Sequence, residues 1–132
     1  RFYFIPSPTT TEARMVKILD AEKIQYVRNF LIKISKRAWR TYDFLLDGNF
    51  IIEMQGDYYH ANPKKYKPQD KIVISSKCRS AEKIWKYDED KKKLAESMGY
   101  KFLAIWEDNF CGMSDKEVFD LVEKHLYNNS GE

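Results

Sequence analysis

Cysteine is scarce in this 132-residue chain, with only Cys78 and Cys111 present. They lack the paired spacing of a structural zinc site, and a reduced intracellular compartment suits them better than a disulfide framework. Long apolar runs are missing as well. No stretch approaches the ~20 residues of a membrane span, and no secretory leader is visible. A strong excess of one charge is also lacking, since the formal net charge is only +3. What remains, 43% hydrophobic and 33% charged residues, is the composition of a globular domain rather than a disordered chain. The length suits one domain with one core.

Charge distribution says more than its sum. "NPKKYKPQDK" (62–71) places four lysines in a proline-broken loop with Tyr66 as its one apolar anchor, and "RNFLIKISKRAWR" (28–40) holds five cationic side chains. Such clusters suit a polyanion's phosphates, and equally a solvated surface.

The pattern along the chain predicts mixed α/β structure. "PSPTTTEARMVKILDAE" reads as a helix capped by Thr10 or Thr11, with Met15, Val16, Ile18 and Leu19 as its apolar stripe. "KIQYVRNFLIKI" reads as a strand. "YDFLLDGNFIIEMQ" reads as a hairpin turning at Asp47-Gly48. Residues 61–79 read as a long loop with a short strand at Ile72–Ile74. A helix capped by Ser80 and closed by Gly99, a buried strand "YKFLAIWE" and a helix capped by Ser114 complete the order. No repeat, low-complexity tract or linker interrupts it. Helices packed on a mixed sheet are expected.

Two helices carry a carboxylate on the apolar side. At ~100° per residue, Glu12 falls between Val16 and Leu19, and Asp88 between Ile84 and Ala95. An unpaired buried carboxylate is costly, so each needs a partner or a function. A first-turn position that favours the helix dipole would also account for Glu12; Asp88 is mid-helix, where the dipole offers nothing.

The hairpin adds Asp43 and Glu53, the latter on the same strand face as Gln55. A two-residue turn pairs Asp43 with Ile52 and hides it from Glu53. A three-residue Asp47-Gly48-Asn49 loop, with Gly48 or Asn49 left-handed, brings the two carboxylates together. Adjacent carboxylates repel unless a cation lies between them, and hard oxygen ligands suit Mg²⁺ or Mn²⁺. The strand then runs into "GDYYHANP", in which His60 carries a ring able to move a proton near pH 7. His125, among charged residues, reads as surface.

These residues have a familiar order. Asp43 followed by Glu53-Met54-Gln55 resembles the PD-(D/E)xK nuclease motif, with Tyr42 in the proline position and Gln55 in place of lysine. "IIEMQGDYYHANP" resembles the metal strand and loop of the very short patch repair (Vsr-like) endonucleases. "KIWKYDEDKKKLAESMGYKFLAIWE" resembles their acid-bearing helix, glycine-aromatic turn and strand ending Trp-Glu. The two matches cover roughly residues 40–107. The set Glu12, Asp43, Gln55, His60 and Asp88 is most similar to the phage-type homing endonucleases of the E-D-x-H-D motif.

The resemblance implies a restriction-endonuclease-like core, a mixed β-sheet flanked by α-helices, and Mg²⁺-dependent hydrolysis of phosphodiester bonds in double-stranded DNA, with Mn²⁺ able to substitute. Asp43 and the Met54 backbone carbonyl would hold the metal, with Glu53 a further candidate ligand. Glu12, His60 and Asp88 would hold its waters, and Gln55 would take the variable position. Lys64, Lys65, Tyr66 and Lys67 are the candidate DNA contacts. No structural zinc is expected, because Cys78, Cys111 and His125 do not reproduce the repair enzymes' ligands and Asn62 breaks their histidine run. A cytoplasmic setting in a phage or its bacterial host follows, without a membrane, and a homodimer would allow double-strand cleavage. A mismatch-nicking repair enzyme and a DNA-binding pseudo-nuclease are the alternatives. The start at Arg1 leads us to expect a single catalytic domain, 1–132, excised from a longer chain with an N-terminal DNA-targeting region. On this reading the domain itself has few means of reading bases.

Overall fold

The computed structural model describes residues 8–127. Its order is α1 (Pro8–Ala21), β1 (Tyr26–Ser35), β2 (Ala38–Leu46), β3 (Phe50–Gln55), β4 (Lys71–Ile74), β5 (Lys77–Ser80), α2 (Ala81–Ser97), β6 (Lys101–Trp106), α3 (Glu107–Cys111) and α4 (Asp115–Tyr127). Strands β1, β2, β3 and β6 form one sheet in that spatial order, and β4–β5 form a separate hairpin. The pairs β1–β2 and β2–β3 are antiparallel, while β3–β6 is parallel. The sheet is mixed, as the sequence pattern predicts.

Two layers of helix cover it. Met15, Ile18 and Leu19 of α1 pack with Val118, Val122 and Leu126 of α4 against Phe44, Leu46, Phe50, Ile52 and Met54. On the other face Ala95 of α2 packs with Ile32, Tyr42, Leu45 and Ile51. A third cluster joins Ala61, Ile72, Ala81 and Ile84, fixing the β4–β5 hairpin to the start of α2.

Local chemistry explains most boundaries. Ser80 caps α2 by accepting from the Lys83 amide, and Gly99 leaves the helix at φ +93°. Ser114 and Glu117 form a reciprocal capping box at α4. The expected caps of α1 are corrected: the helix already runs from Pro8, whose missing amide hydrogen suits a first helical position, so Thr10 and Thr11 lie within it. In the predicted loop at 61–79 the short strand expected at Ile72–Ile74 is present as β4, but its partner β5 was not expected. Residues 71–80 form a hairpin turning at Ser75 (φ +57°), a position without the glycine that usually signals such a turn.

Arg14 ties the α1 layer together. Its guanidinium donates to the Asp115 carboxylate at 2.9 Å and to the carbonyls of Phe110 and Met113 at 2.8 and 2.7 Å, and it lies 4.5 Å over the Phe110 ring. Arg14→Ala takes the guanidinium from the Met113 carbonyl and from the Phe110 carbonyl, which keeps the Met113 amide, so a loss of about 1–2 kcal/mol is expected in chemical denaturation. Arg14→Lys should recover little of it, because an ammonium lacks the planar fork.

Candidate active site at the strand split

The β2–β3 turn decides which side chains meet. Leu46 pairs with Phe50, leaving Asp47-Gly48-Asn49 as a three-residue loop, and this register sets Asp43 opposite Glu53. Asp47 and Gly48 take the left-handed conformation (φ +51° and +77°), and Asn49 does not.

Beyond Phe44 and Ile52 the regular ladder gives way to a carboxylate–amide exchange. The Asp43 amide donates to Glu53 Oε1 at 2.7 Å, and the Met54 amide donates to Asp43 Oδ2 at 2.7 Å. The same level is irregular in β1. Pairing runs Arg28↔Phe44 and then Phe30↔Tyr42, skipping Asn29 opposite Asp43, and Asn29 sits at φ +54°. Alternation reverses there. Arg28 and Phe44 face the α1 layer, whereas Phe30 and Tyr42, two residues further along each strand, face α2. Asp43 therefore sits where the hairpin changes faces.

Its surroundings are acidic. Burial and the Glu53 charge push the Asp43 carboxyl up to about 7, with Glu12 adding to the rise and the Met54 amide and Lys91 opposing it. Glu12 reaches this level from α1. It is 9% exposed and paired with Arg28 at 2.6 Å. With α1 starting at Pro8, Glu12 is past the first turn, so the helix dipole does not account for it.

Helix α2 approaches from the other face. Its inward stripe reads Ala81, Ile84, Asp88, Lys91 and Ala95, a spacing of three and four. Asp88 bonds His60 Nδ1 at 2.8 Å. A carboxylate only accepts, so Nδ1 carries the hydrogen and Nε2 is left for other work. Lys91 bonds Glu53 Oε2 at 2.8 Å and the Thr41 carbonyl at 2.7 Å, and lies 4.8 Å over the Tyr42 ring. Its side chain is only 12% exposed. Sequence reasoning missed Lys91, although the phase count that singled out Asp88 reaches it three residues later.

The structure thus brings together Asp43, Glu53 and the Met54 amide, with Glu12 close enough to act on Asp43 by charge. His60 and Asp88 form a neighbouring pair. Among the described residues no hydrogen bond joins that pair to Asp43; Asp88 and Lys91 stand side by side on α2, about 5–6 Å apart at their Cβ atoms. Gln55 ends β3 at 8% exposure, and its side-chain amide meets no partner among the described residues.

The His60 turn is built by polar anchors rather than by Tyr66 alone, which corrects the expectation of an otherwise unanchored loop. Asp57 accepts from the Asn62 side chain and from Lys65, and Asn62 holds the Lys64 amide. Burial pushes the Asp57 carboxyl up, but the bonds from Asn62 and Lys65 outweigh it and hold the group below its ordinary value. Trp85 of α2 donates to the Ala61 carbonyl at 2.6 Å. Of the candidate DNA contacts, Lys65 is engaged by Asp57, Tyr66 packs into the third cluster, and Lys64 and Lys67 are exposed.

No three acidic, histidine or cysteine side chains converge as a cation cage among the described residues. Mg²⁺ does not need one, because it binds one or two protein oxygens and keeps several waters. Both Glu53 oxygens are taken, by the Asp43 amide and Lys91, which leaves Asp43 Oδ1. A strand residue's N–H and C=O point the same way, so the Met54 carbonyl faces the Asp43 side of β3. One uncompensated carboxylate beside one carbonyl fits a hard divalent cation.

The raised Asp43 value has a consequence for stability. Below about pH 4 the group is protonated both folded and unfolded, and between 4 and 7 only the folded chain holds the proton. Stability of the metal-free protein should therefore fall as pH rises from about 4 to 7 and level off above. Asp43→Asn should flatten that fall and raise the melting temperature at pH 8, measurable by thermal denaturation in the presence of chelator.

No family model and no curated protein matches the chain. Among solved structures it is similar to the catalytic domain of the homing endonuclease I-Bth0305I, at 22% identity and a TM-score of 0.56, with 87% of this chain and 91% of that chain covered. No helix of the described residues is long and apolar enough to cross a membrane. The likeness shows the fold, a restriction-endonuclease-like core with a mixed sheet flanked by helices, as the motif resemblance implies.

Proposed function

We propose that the chain is a Mg²⁺-dependent endonuclease of double-stranded DNA, the catalytic part of a homing-type enzyme. The observation that carries this reading is the Asp43 carboxylate, fixed at the strand split with one oxygen unpartnered among the described residues and a pKa raised by burial and Glu53. The solved structure it resembles bears the name of a homing endonuclease catalytic domain.

Asp43 Oδ1 and the Met54 carbonyl would hold the ion. When bound, it supplies charge neutralisation at the scissile phosphate and a lowered pKa for water. Glu53 keeps the Asp43 backbone in place, and Lys91 keeps Glu53 in place. Asp88 orients the His60 ring, which presents Nε2 for proton transfer at the attacking water or the leaving 3′-oxygen. Lys64 and Lys67 supply phosphate contacts that position the duplex. Each such site cuts one strand, so a double-strand break needs two copies or two successive events. Gln55 in the lysine position would favour a weakened pseudo-nuclease, but Lys91 provides a buried ammonium against Glu53 from another element.

Plasmid cleavage with added Mg²⁺ tests the reading. Asp43→Asn should lose nicking while keeping its fold and DNA affinity, since the Met54 amide retains an acceptor. His60→Ala should slow cleavage by about 10²–10⁴-fold with Mn²⁺ affinity unchanged. Mg²⁺-dependent nicking by folded Asp43→Asn would overturn the metal assignment. A wild-type rate for His60→Ala would leave His60 a structural residue.

A further inference from the structure

Past the Asn29–Asp43 level the β1–β2 hairpin continues without the rest of the sheet. Strand β3 pairs with β2 only from Phe44 to Leu46, so residues 30–42 form a two-stranded ribbon held by its own ladder. Opposed residues share a face. Phe30, Ile32 and Tyr42 face α2 and are covered, with Arg40 lying 5.0 Å over the Tyr87 ring. The other face presents Leu31 beside Thr41 and Lys33 beside Trp39, with Leu31 and Trp39 51% and 48% exposed. No helix covers it. At the tip, Lys36 and Arg37 make the turn between Ser35 and Ala38.

The ribbon's charge is one-sided. Residues 30–42 contain Lys33, Lys36, Arg37 and Arg40 and no acid. Among the described residues none of these four meets a carboxylate; Lys33 lies 5.3 Å over the Trp39 ring, and Arg40 donates to the Trp39 carbonyl. Elsewhere Arg14, Arg28, Lys65 and Lys91 are all paired with acids. Other surface lysines, such as Lys64 and Lys67, are likewise without an acid among the described residues, but in the ribbon the four cations sit together with no carboxylate among residues 30–42.

We infer that this ribbon, residues 30–41, enters the major groove of the DNA duplex and guides it to Asp43 at its root. The inference rests on the nuclease reading for its substrate. Two strands lie ~4.8 Å apart and the major groove is ~12 Å wide, so a two-stranded ribbon fits there without the deformation that entry to the ~6 Å minor groove would require. At ~3.3 Å per residue the ribbon reaches about 20 Å from its root. Its cations suit phosphates on the groove walls, and Leu31 and Trp39 suit apolar base edges such as thymine methyl groups. The uncovered face lies on the α1 side of the sheet, so a duplex along it runs toward Glu12 and Asp43. Stacking a second copy on this face would oppose like charges. Base-reading capacity thus lies in a segment that the sequence marked only as basic.

Anisotropy titrations of short duplexes across a salt series test the ribbon. The double variant Lys36→Ala/Arg37→Ala should flatten the log–log salt slope by about two, one for each phosphate that is no longer neutralised. Trp39→Ala should weaken binding about tenfold, and methylation of guanine N7 should interfere with wild-type binding but not with the variants. Folding of each variant is checked by its melting temperature. Unchanged slope and N7 interference in variants of a DNA-cutting wild type would overturn the ribbon while leaving the nuclease reading intact. A wild type that binds duplex with these slopes but never cuts would sustain the ribbon and sink the nuclease reading. If Leu31→Ser/Trp39→Ser converts a dimer to a monomer without touching DNA affinity, the face belongs to a second copy and the inference fails.

Discussion

Two backbone amides donate to two carboxylates where β2 and β3 part, and the architecture of the candidate site follows from that exchange. In an ordinary ladder the Asp43 and Met54 amides would find carbonyls across the strand pair. Here they find Glu53 and Asp43 side chains instead. A backbone amide left unbonded in the interior costs about 1–3 kcal/mol, so neither carboxylate is free to wander. The chain also changes faces at this level, with Asn29 taking up the turn in β1. One side chain therefore lies between the α1 layer and the α2 layer and feels charges from both, Glu12 from one side and Lys91 from the other.

Helix α2 carries the counterweight. A stripe with Asp88 and Lys91 in consecutive inward positions would be a poor core helix, since buried charge without a partner is strongly destabilising. Each of the two charges instead meets one group from the β3 end or the following turn: Lys91 meets Glu53, and Asp88 meets His60. The turn carrying His60 is held in place by Asp57, Asn62 and Trp85 rather than by apolar burial alone. The site is polar, but its geometry is set by bonds between elements far apart in sequence. Among the described carboxylates at this level, Asp43 is the one without a cationic partner, because Lys91 is spent on Glu53 and Arg28 on Glu12. Such an unpartnered charge is what a divalent cation relieves.

Much of this was legible in the residues. Helical phase placed Glu12 and Asp88 on inward faces, and the alternation of β3 placed Glu53 on one face with Gln55; that this face meets α2 came from the structure. The sheet's mixed character and the caps at Ser80 and Ser114 followed from local chemistry. Other features were hidden because they depend on distant partners. The choice between a two- and a three-residue turn at Asp47 needed the register itself. The left-handed Asn29 has no sequence signature beyond asparagine's tolerance of that conformation. Lys91 read as one of several helix lysines until its stripe was counted. The strand at Ile72–Ile74 was read but its partner β5 was missed, because Ser75-Ser76 lacks a glycine, and Tyr58, which bonds the Val73 backbone, lies far upstream.

Calorimetric titration of Mn²⁺ at pH 6, repeated in buffers of different ionisation enthalpy, tests the central claim most directly. With the Asp43 carboxyl titrating near 7, most of the metal-free protein carries the proton at that pH. The account predicts a single site whose filling releases about one proton per ion, and no such site in folded Asp43→Asn. Mn²⁺ binding of equal strength in Asp43→Asn, or binding by the wild type without proton release, would contradict it.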